Sequence, residues 1–266
     1  MLFRSNLDKK TVILTGSAGL LGTEFANVLS QAGANVVLID IEHKKNEKLS
    51  RDLVRKFRTK PLVLDLDITK PKDVLEIKNR TLEKYGQIDV LINNAQFVPR
   101  NDPKRNTPFE FYPLDFWEKT ITTNLTSLFL CSQEIGKTMV KQKSGVIVNI
   151  SSIYGVVGAD QRIYGDSKLN SPASYAATKG AIINLTRYLA AYWHRKNIRV
   201  NTLTLGGVRD TSYMDNDFVS NYSYRTILGR MAQKTDYNTA LLFLASDASS
   251  YMTGSNLIID GGWTAW

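Results

Sequence analysis

The 266-residue chain has a single cysteine, Cys131, within the apolar run SLFLCS, so no internal disulfide can form. That fits a reducing compartment and a small buried hydrophobe. There is no Pro/Gly/Ser-rich tract, no block of like charge and no repeated unit, which argues against a linker, a solenoid, a coiled coil or a tandem array. No run reaches the roughly 18 apolar residues of a membrane-spanning helix. The opening MLFRSNLDKK also carries no apolar signal core, and a soluble, cytoplasmic protein is expected. No metal site is expected.

What is present is enough apolar chain, 43% of residues, for one large α/β domain spanning 1–266. The formal charge of +9 is concentrated in HKKNEKLSRDLVRKFRTK at 43–60. There Leu49, Leu53 and Phe57 recur at helical spacing, so the charges form the solvated face of a helix. Without an aromatic-interleaved basic patch, the basic balance points to a polar or anionic small molecule and not to nucleic acid.

Seven β-branched runs alternate with amphipathic stretches: 11–16, 35–40, 61–67, 88–95, 145–152, 198–206 and 256–260. They are continuously apolar, as strands buried on both faces must be. The expected fold is α/β: a doubly wound, seven-stranded parallel sheet with helices on both faces, binding ligands at the carboxyl ends of its strands.

The first strand closes with TGSAGLLG, which puts Gly16, Gly19 and Gly22 between a strand and a helix. Glycine allows the tight turn and the close backbone approach that a pyrophosphate needs, and the helix offers its unpaired N–H groups. Asp40 closes the second strand 24 residues after Gly16. A carboxylate there accepts hydrogen bonds from ribose hydroxyls and repels the 2′-phosphate of NADP, so NAD is favoured, although Lys44 and Lys45 lie nearby.

These motifs resemble the short-chain dehydrogenase/reductase family, together with DIT at 67–69, NNA at 93–95, Asn124 in TTNLTSLFL, NISS at 149–152, YAATK at 175–179 and NTLTLGGVRDT at 201–211. The resemblance spans nearly the whole chain. It implies a cofactor site of Gly16, Ser17, Gly19, Leu20, Leu21, Gly22, Asp40, Asp67, Ile68, Asn94, Ala95, Val208 and Thr211, with Tyr175 and Lys179. It also implies that Asn93 stabilises the central strands, that Ser152, Tyr175, Lys179 and Asn124 form the catalytic group, and that the protein is a homodimer or homotetramer. The implied reaction interconverts a secondary alcohol and a ketone. Tyr175 takes the hydroxyl proton, Ser152 orients the oxygen, Lys179 holds the nicotinamide ribose and Asn124 positions a water.

Three Tyr-Lys pairs share the four-residue spacing: Tyr164–Lys168, Tyr175–Lys179 and Tyr192–Lys196. The chemistry needs both side chains on one face of a rigid helix. Gly165, Asp166, Asn170 and Pro172 make the first pair read as loop. Around the second, Ser171 suits an N-cap and Pro172 the first helical position, followed by a stripe of Ile182, Leu185 and Leu189. The third lies at the far end of that helix.

Some positions depart from the family pattern. The glycines are spaced GxxGxxG, Gln96 stands where glycine follows NNA, and Leu205 replaces a proline before Gly206. Ser152 and Tyr175 are separated by 22 residues, about ten more than the family usually has. The extra segment, near 158–171, is expected at the mouth of the site. Gln96, Arg162 and Tyr164 are candidate substrate contacts, with Lys168 beside them, and a passive surface loop is the alternative. The insertion and the ending IIDGGWTAW resemble a bacterial subgroup that modifies surface glycans or flagellin sugars. A catalytically silent dinucleotide-binding sensor and a nucleotide-sugar epimerase or dehydratase remain alternatives.

Overall fold

The computed structural model of the chain describes residues 6–99, 102–165, 170–212 and 214–266. Among them, seven strands form one parallel sheet in the order β3-β2-β1-β4-β5-β6-β7. These are β1 (Thr11–Thr15), β2 (Asn35–Ile39), β3 (Leu62–Leu64), β4 (Val90–Asn93), β5 (Gly145–Ser152), β6 (Ile198–Leu205) and β7 (Asn256–Ile259). The chain builds outward from β1 to β3, returns to β4 beside β1, and then builds outward the other way. A crevice at the strand ends therefore opens between β1 and β4.

Both faces of each central strand are apolar because both are covered. Val12, Leu14, Val36 and Leu38 pack with Phe25 and Leu29 of α1 (Leu20–Gln31), Leu49 and Leu53 of α2 (His43–Phe57), and Leu241 and Leu244 of a later helix at Asn238–Ala245. On the other face, Ile13, Val37 and Ile39 pack with Val74 and Ile77 of α3 (Pro71–Tyr85). Cys131, Ile135 and Met139 on Ser127–Gln142 and Leu189 and Trp193 further along join them there. Burial pushes the Cys131 thiol up to about 12, which leaves it inert at neutral pH. The basic run behaves as its spacing predicts: Leu49 and Leu53 are buried, while Lys48–Asp52 and Arg55–Asp52 pairs decorate the outer face of α2. Among the described residues, no helix is long and apolar enough to cross a membrane.

Past β4, α4 (Leu114–Ile121) runs through one π-helical turn at Thr122–Thr126 into α5 (Ser127–Gln142). At the centre of the sheet, Asn93 Nδ2 donates to Asn149 Oδ1 (2.9 Å) and to Ser132 Oγ (3.1 Å), fastening β4 to β5 and to α5. The helix carrying Tyr175, α6 (Ala173–Tyr192), starts one residue later than the capping pattern predicts. Pro172 is its N-cap, and its carbonyl accepts from the N–H groups of Tyr175 and Ala176. Ser171 is instead held through its backbone, which donates to Gln161 Oε1 at 3.1 Å.

Away from the sheet, the insertion contributes to a small core of its own. Ile163 and Tyr164 pack with Tyr222, Met231 and Trp263, and Phe218 and Val219 of α7 (Asn216–Tyr224) close over them. Ile163 and Tyr164 thus anchor the insertion, and Ser171 ties its end to Gln161, while Gly158, Gln161, Arg162 and Gly165 stay exposed. Lys168 lies outside the described residues. The helix at Asn238–Ala245 is α8.

Candidate active site

A cleft of about 1420 Å³ runs along the carboxyl ends of the strands on both sides of the β1–β4 switch point. At one end stands the glycine turn. Gly16 has φ +67°, and a Cβ there would lie 2.7 Å from Ala95 Cα. A Cβ on Gly22 would sit 2.0 Å from the Gly16 carbonyl oxygen, so α1 can begin this close to β1 only without a side chain. The backbone of Gly16, Gly19, Leu20, Leu21 and Gly22 faces the cleft, and Gly19, the N-cap of α1, offers no side-chain cap. The first N–H groups of α1 thus point into the cleft, where an anion would satisfy them.

The Asp40 carboxylate closes this end. Oδ2 accepts from Ala18 N at 2.8 Å and Oδ1 from Glu42 N at 2.9 Å, which fixes it at the tip of β2. Lys45 is held by Glu42 at 3.1 Å. Asp67 and Ile68 form the next wall. Partial burial opposes ionisation of Asp67, yet hydrogen bonds from Thr69 and the nearby Lys70 ammonium hold its carboxyl below the ordinary range. Asn94 Nδ2 donates to the carbonyls of Thr15 (3.0 Å) and Gly16 (3.1 Å), and Ala95 N donates to Thr15 Oγ1, which seals the switch point. Ser17 departs from its expected place. Its hydroxyl is buried and donates to Asn46 Oδ1 on α2 at 2.7 Å, because the turn directs it under the helix and away from the cleft.

Ser152 ends β5 on the cleft wall, its Oγ accepting from Tyr154 N at 3.3 Å. Tyr175 lines the same wall from the first turns of α6. One turn later, Lys179 is buried behind it, its Nζ 3.0 Å from the Ile150 carbonyl and 5.5 Å from the centre of the Tyr175 ring. Burial lowers the Lys179 ammonium to about 8. The strand end and the helix are clamped together: Ser151 Oγ donates to the Lys179 carbonyl at 2.8 Å, and a Cβ on Gly155 would lie 2.5 Å from that same oxygen.

Asn124 sits in the π turn, buried, its Oδ1 accepting from Phe97 N at 2.6 Å. Its Nδ2 is buried with no partner among the described residues. A π turn inside an α-helix is a local irregularity that often marks a working site. Of the four residues, Ser152 and Tyr175 face the cleft while Lys179 and Asn124 stand behind its surface.

The far end of the cleft corrects three expectations. Arg162 does not reach the cleft: its guanidinium grips Asp160, Nε to Oδ1 at 2.8 Å and a terminal nitrogen to Oδ2 at 2.9 Å, and 82% of its side chain is exposed. Arg162 in turn holds the Asp160 carboxyl below its ordinary range. Thr211 is exposed and off the cleft, three residues past the Val208–Ala232 bridge. Gln96 and Val208 do line the cleft. Tyr164 lines it as a buried wall, its ring stacked on Phe218 at 5.3 Å, and so packs as core where a polar loop contact was expected.

The structure adds Tyr154, Met214, Phe218 and Tyr222 to the cleft wall. Met214, Phe218 and Tyr222 recur at four-residue spacing, a helical stripe that the sequence displays. Tyr222 Oη accepts from Gly207 N, and Tyr237 Oη donates to the Gly206 carbonyl at 2.9 Å. Two tyrosines thereby hold the loop after β6, where Leu205 replaces proline. Burial pushes the Tyr154 phenol far above its ordinary value. Arg105 is a further cleft residue with no local sequence signal.

Known proteins resemble this chain in sequence and fold. The family model described as enoyl-(acyl carrier protein) reductase matches residues 16–264. An NAD-dependent glycerol dehydrogenase of Listeria innocua is 32% identical over 266 positions, covering 97% of this chain and 95% of that protein. The post-translational flagellin modification protein A of Campylobacter coli is 30% identical, with 97% and 99% covered. Among solved structures, a gluconate 5-dehydrogenase of Burkholderia cenocepacia, in complex with NADP and tartrate, superimposes with a TM-score of 0.87 at 29% identity. That match covers 99% of this chain and 98% of the other.

Proposed function

Since the chain belongs to the short-chain dehydrogenase/reductase family, a family of oxidoreductases, we propose that it interconverts a secondary alcohol and a ketone with NAD, on a polar, sugar-derived substrate. The observation that carries this reading is one cleft that holds the glycine turn and Asp40 at one end and Ser152 with Tyr175 at the other.

The cleft fits a dinucleotide. The cradle that a Cβ on Gly16 or Gly22 would fill accepts a pyrophosphate, and Gly19 to Gly22 would hold it. Asp40 would take the adenosine ribose hydroxyls and disfavour a 2′-phosphate, and Asp67 and Ile68 would border the adenine. Lys179 would hold the second ribose, whose hydroxyls would also stabilise its charged form. The bound nicotinamide supplies the carbon that accepts or returns hydride.

The chain's own residues manage the proton. Tyr175 takes it from the substrate hydroxyl, and the Lys179 ammonium beside its ring favours the phenolate that does so. Ser152 Oγ holds the substrate oxygen against Tyr175. Asn124, its Oδ1 engaged by Phe97 N, keeps the π turn in place and positions a relay water. Tyr154, Tyr164 and Phe218 wall off solvent from the reacting centre.

The glycerol and gluconate dehydrogenases support a polyhydroxylated substrate, and the flagellin-modification relative agrees with the resemblance of the insertion and the ending IIDGGWTAW to a flagellin-modifying subgroup. The protein would work as a cytoplasmic homo-oligomer. The test is a screen of polyols, sugar alcohols and sugar acids with NAD and with NADP, following absorbance of the reduced nicotinamide, beside Tyr175→Phe. Turnover that survives in Tyr175→Phe, or no turnover of any alcohol despite NAD binding, would overturn the assignment. The second outcome would favour the silent dinucleotide-binding alternative.

A further inference from the structure

Cations around the cleft are mostly spoken for. Arg162 is locked on Asp160, Lys45 on Glu42, and Lys104 on Asp115. Arg225 faces Asp160 at 3.4 Å and lies 5.6 Å over the Trp263 ring. Arg105 is different. It lines the cleft from a short 3-10 turn, Pro103–Asn106, and shares a recess with Phe97, Phe116, Thr120, Pro172, Ser174 and Tyr175, among others. Among the described residues it has no carboxylate partner, and its Nε is buried without a hydrogen-bond partner. A guanidinium left this way against apolar walls is an incomplete electrostatic arrangement, and a bidentate anion completes it.

The turn is also held in place. Asn170, at the end of the insertion, donates through Nδ2 to the carbonyls of Asn106 (3.2 Å) and Thr107 (3.4 Å). Tyr112, whose phenol feels the Arg105 charge, shares a hydrogen bond with Ser174 Oγ at 2.8 Å on α6. The insertion and the helix of Tyr175 thus fix where Arg105 stands.

We propose that Arg105 binds a carboxylate carried by the substrate itself, so that the protein acts on secondary alcohols that are also organic acids. This deepens the alcohol-oxidoreductase reading and rests on it. A carboxylate matches a single guanidinium in a mostly apolar recess, whereas a phosphate dianion calls for additional cations. Among the described residues, the next cation on this wall is Lys119, exposed and 4.6 Å over the Phe97 ring, with the exposed Glu118 next to it in the chain.

The test separates binding from turnover. Calorimetry on NADH-loaded protein would compare gluconate, its methyl ester and glucose 6-phosphate, with wild type, Arg105→Leu, Arg105→Lys and Arg162→Ala. Gluconate should bind wild type and Arg162→Ala alike and lose roughly 10- to 100-fold in Arg105→Leu, as for one charged hydrogen-bonded contact, with partial recovery in Arg105→Lys. The ester should bind no better to wild type than to Arg105→Leu. If Arg105→Leu does not fold, the acid-against-ester ratio in wild type and Arg105→Lys decides instead. Equal affinity for acid and ester, tighter binding of the phosphate, or loss in Arg162→Ala in place of Arg105→Leu overturns the proposal. Turnover of any alcohol by wild type and by Arg162→Ala would leave the oxidoreductase reading intact whichever way the binding falls. No turnover by any variant would instead count against that reading alone.

Discussion

The glycine turn and the aromatic wall around the insertion occupy opposite ends of one cleft and are built by opposite means. The turn is backbone against backbone, with Gly16 against Ala95 and Gly22 against Gly16, all within a short stretch and one neighbouring strand end. The aromatic wall is side chain against side chain: Tyr164, Phe218, Tyr222 and Trp263 come from three distant segments. Backbone contact leaves no room for substitution, because a Cβ cannot rotate away. Side-chain packing can readjust, since rotamers and neighbours share the change. Under the proposed function, the end that would receive the cofactor's phosphates is the inflexible one, and the end that would meet the substrate is the adaptable one.

Substitutions can break this contrast or sharpen it. The largest effect belongs to the seam between the two ends. Tyr175→Phe should lower kcat by about 10²- to 10⁴-fold while NADH binding, measured by fluorescence titration, stays within about threefold. A comparable loss of NADH affinity would make Tyr175 a cofactor contact and dissolve the seam.

Next comes Lys179. Burial lowers its ammonium to about 8 against an ordinary 10.5, so the unfolded chain binds more protons between these values and stability rises with pH through that window. Below about pH 8 the penalty is fully present, and Lys179→Met should be more stable than wild type by up to roughly 3 kcal/mol, the gap closing toward pH 10.5. Denaturant titrations of both proteins without cofactor, at pH 7 and pH 10, check this. A gap that does not change with pH would mean that Lys179 is already solvated in the folded protein.

Gly22→Ala should weaken NAD binding by roughly 10- to 100-fold, since the new Cβ would meet a carbonyl oxygen and force the turn open. An unaffected affinity would show the turn to be as adaptable as the aromatic wall. Asp40→Ala should shift the NAD-to-NADP affinity ratio toward NADP by about tenfold, the worth of a charged hydrogen-bonded contact. Equal binding of both cofactors by wild type would remove that argument before the variant is made. Smallest of all, Tyr164→Phe should change hydride transfer by less than about threefold, because the ring stays stacked on Phe218. A loss as large as that of Tyr175→Phe would place chemistry on the insertion.

Amino-acid order alone determined the seven strands, the glycine turn, the place of Asp40 at the tip of β2 and the place of Tyr175 near the start of a long helix. These rest on periodicity and on residues close together in the chain, which local sterics decide. Arg162 was misjudged although Asp160, two residues before it, was in plain view as its partner. Ser17, Thr211, Tyr164 and Arg105 were different, because only the tertiary structure decided where they point. Ser17 turns to Asn46 on α2, Tyr164 to Phe218 on α7, and Arg105 into a recess bordered by α4 and α6. Each depends on which distant helix lies alongside, and a side chain's partner across such a gap is set by packing that no short window of sequence contains.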